Sequence, residues 1–351
     1  MVIQYKCPGC GADMVFNSKT GKLYCESCGH SEEIEGYESE DFQEFEEHFH
    51  TSTFGDDEIN QYQCNNCGAI LITDKDTTAT TCSFCGSPVI LGDRLSGALA
   101  PSKVIPFSIS KREAEAAFKK WCHHGLLMPK GFKQADRIKS LTGMYVPFWL
   151  YNLQGQCEAV AHCTRVHTYD EGDSIVTKTN HFDVYRKADL RYNNVPADAS
   201  EKMPDDLMDK LEPFDYNNIR EFNTPYLAGF ISEKYNYTDK EMFPRVQQRV
   251  MHYMDNYILN SIKGYSAKSI INRDYNTRQI SAEYALFPVW VVYYDYGRSE
   301  YTFAMNGQTG KIAGKPPIST GKIFGSITGI TVLLFAICRI ITILMGGPLL
   351  W

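Results

Sequence analysis

Three observations predict an α+β chain. Eight cysteines near the N-terminus fall into two sets of identical spacing, the middle of the chain mixes capped amphipathic helices with alternating aromatic-rich strands, and the C-terminus carries the 23-residue apolar run Ile323–Met345. The expected order is a ribbon over 1–31, an acidic linker or helix over 32–60, a second ribbon over 61–92, a mixed α+β body with antiparallel strands over 93–318, and one transmembrane helix over 319–346.

The cysteines read Cys7-Pro-Gly-Cys10, fourteen residues, Cys25-Glu-Ser-Cys28, then Cys64-Asn-Asn-Cys67, fourteen residues, Cys82-Ser-Phe-Cys85. Each lies 57 positions after its counterpart, and Gly11, Ala12 and Gly29 recur as Gly68, Ala69 and Gly86. Two residues between paired thiolates let a tight turn aim both sulfurs at one ion, and two such knuckles close a tetrahedral site. Two structural zinc ions are therefore expected, one on Cys7, Cys10, Cys25 and Cys28, the other on Cys64, Cys67, Cys82 and Cys85. A redox-active Cys-X-X-Cys pair works alone, so duplication of the whole quartet argues against it. Spacing does not separate zinc from an iron–sulfur cluster. With four thiolates each ion has no open position for water, so neither is expected to do chemistry. Segments of about 30 residues bury too little apolar surface to fold alone, and the metal supplies the difference.

The chain has 351 residues and a net charge of −7. Residues 31–60 hold 12 acidic and no basic side chains, which leaves the remainder at +5. Neither ribbon carries a basic patch, so nucleic acid, held chiefly by phosphate neutralisation, is not the expected partner. Metal-bound thiolates in this number need a reducing compartment, which places the N-terminal part in the cytosol. Met1–Cys10 has no apolar core and is not expected to act as a signal peptide.

Phe42, Phe45 and Phe49 form a narrow stripe in the acidic segment, either packed on a ribbon or presented to a basic groove on a partner protein. His48 and His50 read as surface residues. Ser110-Lys-Arg-Glu113 is a capping box that starts a helix with Ala114, Ala117, Phe118 and Trp121 on one face and an end near Gly125. Tyr145-Val-Pro-Phe-Trp149-Leu-Tyr151 opens a stretch to about 187 that reads as a long β-hairpin turning at Asp170-Glu-Gly-Asp173. Residues 188–235, rich in Pro and Asn, are expected to hold short helices at best. Thr238-Asp-Lys-Glu241 is a second capping box, with Pro244 placed to shift the start; Val246, Val250, Met254, Tyr257 and Ile258 make the apolar stripe of a helix that stops at Gly264. Strands return over 265–314, with Asn306-Gly-Gln-Thr-Gly310 as a hairpin turn. Pro147-Phe-Trp149 and Pro288-Val-Trp290 echo one another, each opening an aromatic strand, and their tryptophans read as core anchors.

The apolar run from Ile323 to Met345 is long enough for one bilayer span, with Arg339 past its midpoint and within reach of the far headgroups. Lys311, Lys315 and Lys322 flank its near side, as in a protein with its body in the cytoplasm and a single C-terminal anchor in the cell membrane. Gly346-Gly-Pro348 ends the helix and Trp351 suits an interface. An interfacial helix and a buried core helix are the other readings of this run.

No catalytic constellation emerges. Gly307-Gln-Thr-Gly310-Lys311 has two residues between its glycines and Ile312 after the lysine, which is not a phosphate loop. Cys157, His162, Cys163, His167 and His181 cluster on the proposed hairpin, yet alternation puts Cys157 and Cys163 on one face and His162 on the other. His123 and His124 suit the C-terminal end of a helix dipole. No enzyme is expected.

Taken with Ile105-Pro-Phe107, Tyr145-Val-Pro-Phe-Trp149-Leu, Tyr226-Leu-Ala-Gly-Phe230 and Leu286-Phe-Pro-Val-Trp290, the paired ribbons make the chain resemble, over nearly its full length, a bacterial family of membrane-anchored proteins with TFIIB-type zinc ribbons. Members are often labelled primosomal or helicase-like, but the ATPase motifs such a label requires are not in this sequence. Some relatives are encoded beside a phage-shock protein A homologue and an SPFH (flotillin-like) protein, and the resemblance implies an adaptor that recruits such proteins to the membrane in envelope stress. The alternative expectation is a membrane-associated, nucleic-acid-binding zinc-ribbon protein in replication or transcription.

Overall fold

The computed structural model describes residues 2–34, 59–95, 100–125, 127–133, 138–296 and 299–344. The phenylalanine stripe of the acidic segment, with His48 and His50, lies outside them, as do Met345 and the Gly-Gly-Pro end of the apolar run.

The first ribbon comprises β1 (Val2–Ile3), β2 (Met14–Asn17), β3 (Lys22–Cys25) and β4 (Ser31–Glu32); the second comprises β5 (Ile59–Gln63), β6 (Ile70–Asp74), β7 (Thr77–Thr81) and β8 (Pro88–Leu91). The body follows as β9 (Lys103–Val104), α1 (Lys111–His124), β10 (Ile138–Glu171), β11 (Ser174–Asp198), α2 (Asp205–Leu211), β12 (Arg220–Glu221), β13 (Ile231–Glu233), α3 (Asp239–Ser261), β14 (Ala267–Tyr296), β15 (Ser299–Asn306) and β16 (Ile312–Gly314), and the chain continues into α4 (Thr320–Leu344).

One sheet joins nearly all of this. Its path runs β1-β8-β7-β13-β10-β14-β15-β16, with β11 on the distal part of β10 and β9 and β12 beside β14. Only β2-β3-β4 and β5-β6 form separate small sheets. The ribbons are thus continuous with the body: β7 of the second pairs with β13, and β1 of the first pairs with β8 of the second.

The sheet is built around β10, whose 34 residues span about 110 Å when extended. Antiparallel β14 pairs with it from Ile138 to Thr164, and β11 pairs with it from Phe148 to Glu171. The predicted hairpin is therefore present and longer than expected. Residues 188–198, expected to be irregular, continue its second strand; Asn194, at a positive φ of 55°, forms the bulge that Asn152 caps through its Oδ1 (3.2 Å from the Asn194 amide). The strand holds because its alternation continues past the Asn-rich stretch into Val195 and Ala197, both buried.

Period-2 alternation on β10 sorts the core into layers. Its proximal part packs Leu141 and Tyr145 against the first ribbon and α1, while Val146, Phe148 and Leu150 face α2 from the other side. Farther out, Tyr151, Leu153, Cys157, Ala161 and Cys163 lie under Val246, Val250, Met254 and Ile258 of α3. The opposite face of this distal part has no covering layer among the described residues.

Both capping boxes close as expected, at Ser110–Glu113 and Thr238–Glu241. Pro244 does not shift the start of α3. It sits inside the helix, where the missing N–H costs one backbone bond, and the reciprocal cap still fixes the first turn. The helix stops at Ser261 rather than Gly264, and Tyr257, expected on the apolar stripe, is half exposed beside it. The two Pro-aromatic-Trp segments do not open strands. They lie mid-strand and pair with one another, Tyr145 opposite Pro288 and Pro147 opposite Leu286. Trp290 is buried, with its indole N–H donating to the Ile109 carbonyl; Trp149 is half-buried and donates to the Tyr237 carbonyl.

The apolar C-terminal stretch forms α4 with its large side chains from Phe324 to Ile341 facing outward, and Thr320–Ile341 is long and apolar enough to cross a membrane. A buried core helix is thereby excluded. Its base is tied to the body, since Lys322 Nζ donates to the Met128 carbonyl and the Ser319 amide to the Leu127 carbonyl. The other two flanking lysines are also engaged, Lys311 by the Glu212 carbonyl and Lys315 by Asp206 at 3.3 Å.

Candidate metal centres

Each ribbon is folded around a pair of knuckles, and all four knuckles have the same backbone. The amide of Gly11, Gly29, Gly68 or Gly86 donates to the carbonyl of the first cysteine of its pair at 2.8–2.9 Å. That first cysteine's own amide donates to Ala12, His30, Ala69 or Ser87. The four glycines have φ between +73° and +79°, a region that a side chain disfavours, which is why glycine follows each pair.

These turns bring Cys7, Cys10, Cys25 and Cys28 together, and likewise Cys64, Cys67, Cys82 and Cys85, with the sulfurs of each set all within 4.8 Å of one another. In the second set Cys64–Cys85 and Cys67–Cys82 are both 3.8 Å apart. A tetrahedron of thiolates about 2.3 Å from zinc has an edge of about 3.8 Å. The first set is slightly tighter, Cys7–Cys28 at 3.4 Å and Cys10–Cys25 at 3.5 Å. Both are far beyond the roughly 2.05 Å of a disulfide. Within each quartet the first cysteine of each pair is buried and the second exposed. The Cys28 amide lowers the Cys25 thiol to about 7, and the Ser87 side chain lowers Cys85 to about 6. The Cys28 thiol, although the His30 amide lowers it, is pushed up to about 12 by Cys7, Cys10 and Cys25. Four thiolates this close repel one another, and a bound cation removes that conflict. The expected two structural zinc sites are in place on all eight predicted cysteines.

Contacts between the centres were not visible in the spacing. Lys6 bridges Asp13 of its own ribbon and Asn66 Oδ1 of the other at 2.9 Å. Asn66 donates to Ser87 Oγ at 2.8 Å, and that oxygen lies 3.2 Å from Cys85 Sγ. Gln4 of the first ribbon donates to the Pro88 carbonyl of the second at 3.1 Å.

Each ribbon is also fastened to the body. Phe16 packs on Tyr226 and Phe230, with ring centroids 5.4 and 6.3 Å away, and Phe230 stacks on Phe107 at 4.1 Å. Lys202 reaches from the body to Asp74 of the second ribbon and to the buried Glu233.

The charge on the ribbons is largely neutralised. Lys6 pairs with Asp13, Lys19 with Glu113 and Lys22 with Glu33. Arg94 is buried and donates to the Asp74 and Thr77 carbonyls. Three large apolar side chains of the second ribbon face solvent instead: Ile70 at 61 %, Ile72 at 66 % and Phe84 at 76 % exposure. The signal for two of them was in the sequence. Ile70-Leu71-Ile72 on a two-stranded sheet can bury only one face, and the face bearing Leu71 is the buried one.

The arm histidines do not form a ligand set. Cys157 and Cys163 are buried beneath α3, whereas His162 lies on the open face with Nδ1 2.9 Å from Asp183 and Nε2 3.0 Å from His181. His167 is on the other side of the strand.

A zinc ribbon domain family matches residues 3–34. Over 347 residues the chain is 53 % identical to the uncharacterized protein YdjG of Bacillus subtilis (strain 168), with 99 % of each chain covered. No solved structure matches it.

Proposed function

The chain belongs to the family of Bacillus subtilis YdjG, and from that premise we propose that it is a non-enzymatic adaptor, anchored in the cell membrane by α4 with its body in the cytoplasm, that recruits protein partners to the bilayer. The observation that carries this reading is the exposure of Ile70, Ile72 and Phe84 on a ribbon held rigid by a coordinatively closed metal. Apolar side chains on a preorganised scaffold cost little ordering entropy when a partner covers them. Proteins of the SPFH (flotillin-like) and phage-shock protein A types are the candidate partners.

Nucleic-acid binding is the weaker reading, because the lysines of the first ribbon are spent on internal ion pairs and Arg94 is buried.

Deleting residues 1–92 is not a clean test, since β7 and β8 belong to the body's sheet. The test is Ile70→Asp, Ile72→Asp and Phe84→Asp in the full chain, each checked for retention of two zinc ions. Affinity purification from membranes is expected to lose specific partners with these variants. Retention of every partner would refute the reading, as would recovery of the intact chain in the soluble fraction.

A further inference from the structure

The distal part of the sheet ends, on one side, in a bare edge. From Ser174 to Asn193 β11 pairs with β10 alone. Its odd-numbered residues from His181 to Arg191 form one exposed row on the face opposite α3. Exposed edges of this length recruit other strands unless something prevents it, and charged side chains are a common preventive device. The distribution of charge on this edge separates prevention from recruitment.

A strand that pairs antiparallel with its own copy in one continuous sheet does so about a two-fold normal to the sheet. Side chains then keep their face, so the two-fold must pass through a residue and not between two. Through Tyr185, Asp183 falls opposite Lys187 of the second copy, and Asp189 opposite His181, each pair occurring twice. Lys178, Arg186 and Arg191 meet Tyr192, Val184 and Thr179, so no like charges oppose. Shifting the axis one residue to Arg186 sets Asp183 against Asp189 and Arg186 against itself; shifting it to Lys187 sets that lysine against itself. An edge charged for protection opposes like charges in self-pairing, whereas here both acids of the strand find basic partners in a single register. The axis also falls near the middle of the regular stretch, so residues 177–193 pair without interruption before the bulge at Asn194. Asp183 and Lys187 remain accessible for this, at 63 % and 62 % side-chain exposure, despite their internal contacts with His162 and Glu158. On the other face Phe182, 37 % exposed, falls opposite Ala188.

We propose that β11 is a homodimerisation edge, pairing antiparallel with β11 of a second copy about a two-fold at Tyr185, so that two three-stranded arms become one six-stranded sheet. This does not depend on the adaptor reading or on the metal sites.

The test uses the full chain in detergent, with mass measured by light scattering or sedimentation. The wild type is expected to be dimeric, and Asp183→Lys or Lys187→Asp to weaken the dimer about tenfold or more, because each places two like-charge pairs across the axis. The double variant Asp183→Lys/Lys187→Asp is expected to restore it. That rescue is diagnostic, since the double variant loses both internal contacts, Asp183–His162 and Lys187–Glu158, and recovery can come only from the pairing between copies. A photo-reactive residue in place of Tyr185 is expected to cross-link the chain to itself. A monomeric wild type, single reversals that leave the dimer intact, absence of rescue, or cross-linking only to a different protein would each overturn the proposal.

Discussion

Ser87 of the second ribbon donates a hydrogen bond to Asp13 of the first, Oγ to Oδ2, at 2.5 Å. The same hydroxyl lies beside Cys85, so the surroundings of one metal centre are completed by a carboxylate from the ribbon that holds the other. Asp13→Ala is expected to cost about 1 kcal/mol and to leave Lys6 and Ser87 without their shared acceptor. The check is the rate at which a chelator removes zinc, which should rise for the second site although the mutated residue lies in the first ribbon.

Loss of a ligand should be felt well beyond its own centre. Cys64→Ser is expected to lower zinc from two ions per chain to about one by elemental analysis, and to depress the thermal midpoint of the whole body. The reason is that β7 and β8 continue the main sheet through β13, and structural zinc supplies folding free energy on the order of 10 kcal/mol.

Phe230 is the pivot between the first ribbon and the body, in ring contact with Phe16, Phe107, Tyr145 and Trp290. Phe230→Ala should destabilise by about 3–5 kcal/mol in chemical denaturation. Gly143→Ala tests the same packing from the other side. A methyl there would meet the Phe230 ring 2.6 Å away and Trp290 at 3.0 Å, so it should destabilise by about 1–3 kcal/mol although alanine is the better strand residue.

Asp198 is 1 % exposed, with Oδ1 accepting from the Ser200 amide and Oδ2 without a partner among the described residues. Burial pushes its carboxyl up to about 7. Below about pH 4 the group is protonated both folded and unfolded and contributes nothing. Between about pH 4 and pH 7 the folded chain retains a proton that the unfolded chain releases, so stability falls as pH rises through that window and levels off above it. Asp198→Asn should remove this loss, with a gain of up to about 4 kcal/mol at pH 7.5 that vanishes near pH 4. Melting curves of the two proteins across pH 4–8 decide the matter.

Metal chemistry was the most legible part of this chain, because ligand spacing is local and each knuckle needs only four residues and a glycine. The caps of α1 and α3 were legible for the same reason. Tyr257 was misplaced because helical period alone does not mark where an apolar stripe ends. The extension of β11 to Asp198 was hidden by its asparagines, which read as a loop until paired with Asn152. The fusion of ribbons to body could not be read at all. It depends on β7 meeting β13 across a long separation in sequence, and on Phe16 reaching Phe230, neither of which leaves a periodic trace.

The uninterrupted run of β10 from the metal-bearing end to the hairpin tip limits how such an arm can change length. Removing one residue would turn every later side chain over, bringing Cys157 and Cys163 out to solvent and Glu158 and His162 beneath α3. Growth or shortening must therefore come in steps of two, matched on β11 and, within its reach, on β14. Among relatives, insertions here should be even in number and should arrive in register-paired sets.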